Sequence, residues 1–191
     1  MTVVSGAEFF ELFQRFTRSA RRLESRSQSL IEEEQPRYRA FLAGQLPEAC
    51  GAETTAWTEM VRRHAAAGRP FQRVRVMDEP LSDYNRYLLY RTPYNLAAGE
   101  DIRYLNRDSA NRLDLPDHDF WVFDSGLVCL LRFTADGRPI GHDLIADREL
   151  AARHEEWILR AWEAAVPYAE YVAADPTRVL PPVRAGSTKS R

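Results

Sequence analysis

A chain of 191 residues, 45% hydrophobic and 28% charged, suits one globular domain with a single sizeable core. Its net charge of −2 excludes a general affinity for nucleic acid or anionic membrane, and no apolar run approaches the ~18 residues that span a bilayer. Lys189 is the only lysine among 26 basic residues, which excludes lysine-based Schiff-base or phosphate chemistry in the core.

Ser5 and Glu8 form an S-x-x-E capping box ahead of Phe9, Leu12, Phe13 and Phe16, which predicts a helix over about 6–17 with an aromatic core stripe. Residues 19–31 suit a strand in which Arg22, Glu24 and Arg26 share one face and alternate with Leu23 and Ser25. The acidic run 32–34 favours a helix N-terminus; Tyr38, Phe41 and Leu42 supply that helix's buried side, and Gly44 its stop. Trp57, Met60, Val61 and His64 recur at helical spacing and predict a helix over about 55–67, with His64 packed, ended by Gly68 and Pro70.

Phe71, Val74 and Val76 predict a strand over 71–77, with Arg73 and Arg75 alternating against the valines. After a turn at Pro80, Leu81, Tyr84 and Leu88 predict a helix that Pro93 limits to about 81–91. Gly99 precedes a strand at 101–105, and residues 106–118 read as a loop with one short helical turn. Strands at 119–124 and 127–133 follow, joined by a tight turn at Ser125-Gly126. Asp136-Gly137 then turns the chain into a strand near 139–145. Leu150, His154, Trp157, Ile158, Ala161, Trp162 and Ala165 predict a closing amphipathic helix, ended by Pro167, whose tryptophans cover one face of the sheet. The expected architecture is one α+β (or α/β) domain over 1–174, a mixed sheet flanked by helices, with a disordered tail at 175–191.

Chemistry is sparser. A polar and aromatic cluster of Asp83, Tyr84, Arg86, Glu100, Asp101, Trp121 and Asp124 falls near element ends, where α/β folds place binding groups, and Arg73 and Arg75 could add anion contacts. Each has a plainer reading: Asp83 favours a positive helix end, tyrosines pack, and neighbours such as Glu100 and Asp101 point to opposite faces of a strand. Asp117, His118, Asp119 and Asp124 are the most metal-like group, but the odd separation of Asp119 and Asp124 makes them diverge, so no metal is expected. His142 could serve as a general base near the sheet end. The phosphate loops G-x-x-x-x-G-K-[ST] and G-x-G-x-x-G are absent, as is the hydrolase elbow G-x-S-x-G, so no cofactor is expected. Cys50 and Cys129 have no metal-like spacing. Without a secretory pattern at the N-terminus they read as reduced thiols of a cytoplasmic protein.

The segments SARRLES, RVRV…PLSDYNRY, AGEDIRYL and LPDHDFWVFD resemble an uncharacterised actinobacterial family defined only as a domain of unknown function, over roughly residues 6–173. Arg21, where an aromatic or apolar residue is more usual, and Cys129-Leu-Leu depart from its pattern. By gene neighbourhood, the resemblance implies an accessory role beside helix-turn-helix regulators and small companion proteins; it assigns no catalytic residue. More weakly, a strand–helix–Gly–strand unit followed by D-F-x-x-x-D resembles part of a phospholipase D-like fold. The catalytic H-x-K of that fold is missing here, which implies a non-catalytic copy. The leading expectation is a non-enzymatic regulatory or interaction module whose partner is a helix-turn-helix regulator or small companion protein. The alternative is an enzyme or binder of an anionic small ligand at the sheet-end cluster. Direct nucleic-acid binding through clustered arginines is a third.

Overall fold

The computed structural model describes residues 1–29, 31–45 and 55–182. Its first half contains β1 (Thr2–Val4), α1 (Gly6–Arg15), β2 (Ala20–Glu24), α2 (Gln35–Leu42), α3 (Ala56–Ala66), β3 (Phe71–Met77) and α4 (Asp83–Ala98). The second half adds β4 (Glu100–Asn106), α5 (Arg107–Arg112), β5 (Asp119–Phe123), β6 (Leu127–Phe133), β7 (Pro139–Ile145), α6 (Arg148–Ala164), β8 (Val166–Pro167) and α7 (Tyr168–Ala174). This is an α+β fold. One mixed eight-stranded sheet runs in the order β1-β7-β6-β5-β2-β3-β4-β8. Strands β2, β3 and β4 are mutually parallel, and antiparallel strands flank them on both sides.

Local chemistry sets the helix ends. The Ser5 hydroxyl accepts the Glu8 N–H at 3.2 Å while the Glu8 carboxylate accepts the Ser5 N–H at 2.8 Å, closing the expected capping box. Ser82 caps α4 by accepting the Asn85 N–H at 3.0 Å. Gly99 closes α4 at φ 101, where a Cβ would also lie 2.7 Å from that of Ala65.

Period-two alternation then builds two cores. On one face Leu23, Val74, Val76, Phe120, Val122 and Val128 pack beneath Ala151, Ile158 and Ala161 of α6. On the other, Phe71, Trp121 and Phe123 meet Phe13 and Phe16 near α1 and Met60 and Val61 of α3. Ile102 and Tyr104, on that second face, pack with Leu89 of α4 and Tyr171 of α7.

Several expectations need correction. Helix α4 does not stop near residue 91; it runs through Pro93 to Ala98. The proline leaves the Leu89 carbonyl without its helical donor, and the burial of Leu89 and Thr92 against the sheet and α3 holds the stretch helical. The hairpin after β5 is centred one residue early. Asp124 and Ser125 adopt φ 52 and 59, and the Gly126 N–H returns to the Phe123 carbonyl at 3.1 Å. On α6 the seat is Ala151, His154, Ile158 and Ala161, whereas Leu150 is 42% exposed and Trp157 and Trp162 flank the seat half-buried. Small residues let the helix approach the sheet closely, which pushes the indoles to its sides. Residues 176–179, expected in a structureless tail, form a 3-10 turn (Pro176–Val179). The Thr177 carbonyl takes Arg86, and Arg178 donates to the Tyr171 carbonyl at 2.9 Å. The rest of that tail from 183 onward, and Cys50, lie outside the described residues. None of the described helices is long and apolar enough to cross a membrane.

Candidate functional site

The second face of the central strands carries charge where a core is expected. Register places Trp121, Arg22, Arg73 and Ile102 in one row across β5, β2, β3 and β4, with Glu24, Arg75 and Tyr104 in the next. Arg73 and Arg75 are only 6% and 5% exposed, because α3 and α4 cover the face onto which the alternation aims them. Buried guanidinium groups require acceptors. Glu24 supplies most of them: its carboxylate meets Arg22 at 3.1 Å, Arg73 at 2.7 Å and Arg75 at 2.5 Å. Arg73 also donates from Nε to Glu100 at 2.7 Å, and Asn95 of α4 donates to the other Glu100 oxygen at 2.7 Å. Arg75 reaches the Thr92 hydroxyl at 2.9 Å, which lies 2.5 Å from the Tyr104 hydroxyl. At the end of β5, Asp119 accepts Arg22 at 3.2 Å and the Ser25 and Arg26 N–H groups at 2.8 and 3.1 Å. The Trp121 ring lies against both Arg73 and Arg22, whose guanidinium carbons are 5.6 and 5.7 Å from its centre.

The electrostatics follow from this crowding. Burial alone would raise the Glu24 carboxyl, but Arg22, Arg73 and Arg75 together hold it well below the usual carboxylate range. Burial would likewise weaken the protonation of Arg73 and Arg75; Glu100 and Glu24 at Arg73, and Glu24 at Arg75, firm it instead. Glu34 behaves oppositely. Burial pushes its carboxyl up, and the Tyr84 hydroxyl at 3.1 Å only partly offsets this. Burial also raises Asp119 despite its three donors.

Above this lattice lies a cavity of about 270 Å³ walled by the sheet, α2, α3 and α4. Among the described residues, Arg22, Arg37, Arg73, Arg75 and Arg91 line it together with the carboxyl of Glu34 and with Trp57, Tyr87, Tyr94 and Asn95. Thr55 and Thr58, the capping pair at the N-terminus of α3, complete the wall. A smaller cavity of about 70 Å³ shares the Arg22, Glu34, Arg73 and Arg75 wall and continues toward Tyr84, Asn85 and Asp119. Chemically, the arrangement offers anion recognition: guanidinium groups, a helix N-terminus and aromatic surface around one half-open space.

A family model described as a domain of unknown function matches residues 7–173. The chain belongs to the DUF6879 family. Comparison with curated proteins gives no match.

In this DUF6879 domain five of the nine expected site residues converge. Arg73, Arg75, Glu100 and Trp121 form the lattice, and Tyr84 closes the smaller cavity beside Glu34. The other four do not join them. Asp83 is exposed at the first turn of α4, and Arg86 binds the Thr177 carbonyl at 3.1 Å. Asp101 is exposed on the strand face opposite Glu100, as alternation requires. Asp124 lies at the other end of β5 from Asp119. Burial pushes its carboxyl up, but the Thr17, Arg18 and Ser19 N–H donors at 2.9, 2.6 and 3.0 Å together outweigh that and hold it low. It ties the α1–β2 connection to the hairpin. The expected set omitted Arg22 and Glu24, whose shared strand face was legible, and Glu34, Trp57 and Asn95, whose helical spacing gives no such signal. Asp119 joins the site as an ion-pair partner. Among the described residues no group of three or more His, Cys, Asp or Glu is arranged to hold a metal. The Cys129 thiol is buried in the core and pushed up to about 12 by that burial.

Proposed function

We propose that the domain is a non-catalytic regulatory module that binds a small anionic ligand in the arginine-lined cavity. The observation that carries this reading is the lining itself: among the described residues, five guanidinium groups, one carboxyl and three aromatic rings around about 270 Å³. That is close to the lower end of ligand-pocket volumes, ~300–1,000 Å³. Glu24, the central carboxylate beneath the cavity, is clamped by three guanidinium groups and held below the usual range, which makes it a weak base and an anchor for the arginines. The family resemblance, with its implied neighbourhood of helix-turn-helix regulators, supports an accessory role in which ligand occupancy sets a partner interaction.

The test is thermal denaturation against panels of phosphates, sugar phosphates, mono- and dicarboxylates and neutral analogues. A ligand at about a hundred times its Kd adds ~2.7 kcal/mol of stability. Anions alone should raise the melting temperature. The effect should shrink with salt and vanish in an Arg37→Ala/Arg91→Ala double variant, measured against that variant's own melt without ligand. A panel with no response, or a response retained by that variant, would overturn the proposal.

A further inference from the structure

We infer that the ligand is a phosphomonoester carried on an aromatic ring, of the nucleoside-monophosphate class, with its phosphate among the cavity arginines and its ring against the cavity aromatics. This rests on the anion-binding reading and goes beyond it by fixing the anion and the body that bears it.

Three features select phosphate over carboxylate. A carboxylate is satisfied by one guanidinium fork, whereas five guanidinium groups of the described residues line the space, Arg22, Arg73 and Arg75 among them already ion-paired beneath it. A phosphomonoester near neutral pH carries about −1.5 to −2 charge and three acceptor oxygens, so it can engage several forks at once. The N-terminus of α3, an eleven-residue helix, borders the same space through Thr55, Trp57 and Thr58 and adds the positive potential of a helix end, although the Thr55 and Thr58 N–H groups are taken by their own capping box. Finally, Arg22 lines both cavities, and its buried Nε has no hydrogen-bond acceptor among the described residues while its terminal nitrogen is shared by Glu24 and Asp119. A buried donor without an acceptor is costly, and a phosphate oxygen at this wall is the kind of acceptor that Arg22 lacks.

The rest of the cavity selects the ring. Trp57 and Tyr94 are half-buried and line the space, and the Arg91 guanidinium stacks 4.1 Å above the Tyr94 ring, extending the flat surface. Guanidinium and aromatic planes together form the platform on which bases stack. The carboxamide of Asn95 also lines the cavity, though one of its N–H groups is committed to Glu100. A volume of about 270 Å³ admits one ring system with one phosphate and is too small for a dinucleotide.

Isothermal titration decides this with five probes on the full chain: inorganic phosphate, ribose 5-phosphate, the common nucleoside monophosphates, the matching nucleosides, and benzoate. The expected result is that at least one monophosphate binds ten-fold or more tighter than phosphate, ribose 5-phosphate and its own nucleoside. Tyr94→Ala should erase that advantage, so that within this variant the monophosphate binds no tighter than ribose 5-phosphate, and Arg37→Ala/Arg91→Ala should weaken every phosphate by ten-fold or more. Circular dichroism melts confirm that the variants fold. Benzoate binding in the cavity without phosphate binding would overturn the phosphate assignment and leave the anion-binding reading standing. Ribose 5-phosphate binding as tightly as any nucleotide would overturn the ring assignment alone. If no probe binds, or the arginine variant binds nucleotides like the parent, both readings fall.

Discussion

Replacing Glu24 by Gln tests the lattice most directly. The substitution keeps shape and removes one charge from a carboxylate that is 13% exposed and touches three guanidinium groups. Arg73 would retain Glu100, but Arg75 would keep only neutral partners at Thr92, Tyr104 and the Leu88 carbonyl. Removing one member of a buried ion pair typically costs ~3–5 kcal/mol, a large part of the ~5–15 kcal/mol that stabilises a domain. With a urea slope of about 2 kcal/mol/M, the midpoint should fall by ~1.5–2.5 M. The effect should also depend on pH. The Glu24 carboxyl is depressed in the folded state, so its stabilisation is fully present above the unfolded value of about 4.3 and is lost as pH falls toward the folded value. The gap between parent and variant should therefore stay constant from about pH 6 to 8 and narrow below about pH 4. Urea melts at several pH values measure both quantities. A midpoint shift under about 0.3 M at pH 7 would refute the assignment of Glu24 as the lattice's central counter-charge.

Three further outcomes follow from the geometry. Glu34→Gln should gain stability relative to the parent as pH rises from about 5 to 8, because burial raises the Glu34 carboxyl and the folded parent is penalised once that group ionises; denaturant melts across that range check the direction. Asp124→Asn should cost ~1–2 kcal/mol, since it weakens the acceptor for the Thr17, Arg18 and Ser19 N–H groups, while leaving affinity for any cavity ligand unchanged in titration. On α6, Ile158→Ala should cost ~2–5 kcal/mol in urea, because the side chain is 1% exposed, and the half-buried Trp157→Ala about 1–2 kcal/mol.

The elements were largely legible because their signals are local. The Ser5–Glu8 box, the aromatic stripe of α1 and the valine alternation of β3 each lie within a few residues of chain, and the structure shows all three. The misplaced elements answer to tertiary forces. Pro93 stays helical because α4 is packed against β4 and α3, with Leu89 and Thr92 fully buried, and that tertiary packing is not visible in a window around the proline. The site was less legible. Arg73 and Arg75 alternating with valines read the same whether the arginines face water or a buried counter-charge. What separates the cases is Glu24, 49 and 51 positions away, and Glu100, 27 positions from Arg73. Asp83, Arg86 and Asp101 are near these residues in sequence, but helix phase and strand alternation direct them elsewhere.

The placement of this charge bears on why it exists. A buried ion cluster is a weak source of stability, because desolvation consumes much of the Coulombic gain, and apolar residues of similar volume are often neutral or stabilising by ~1–4 kcal/mol. The same sheet shows the alternative on its other face, where Val74 and Val76 are buried without any counter-charge. Stability alone therefore does not select arginine at 73 and 75. What the lattice provides is fixed guanidinium geometry: carboxylates hold three forks on the rigid centre of a sheet, beneath a cavity, and the rotamer freedom of those side chains is already lost on folding. Immobilising each such side chain during binding would otherwise cost ~0.5–1.5 kcal/mol. Destroying the lattice by Glu24→Gln and replacing it with matched apolar residues should thus separate two properties. The first damages the fold; the second preserves stability and removes only the binding surface.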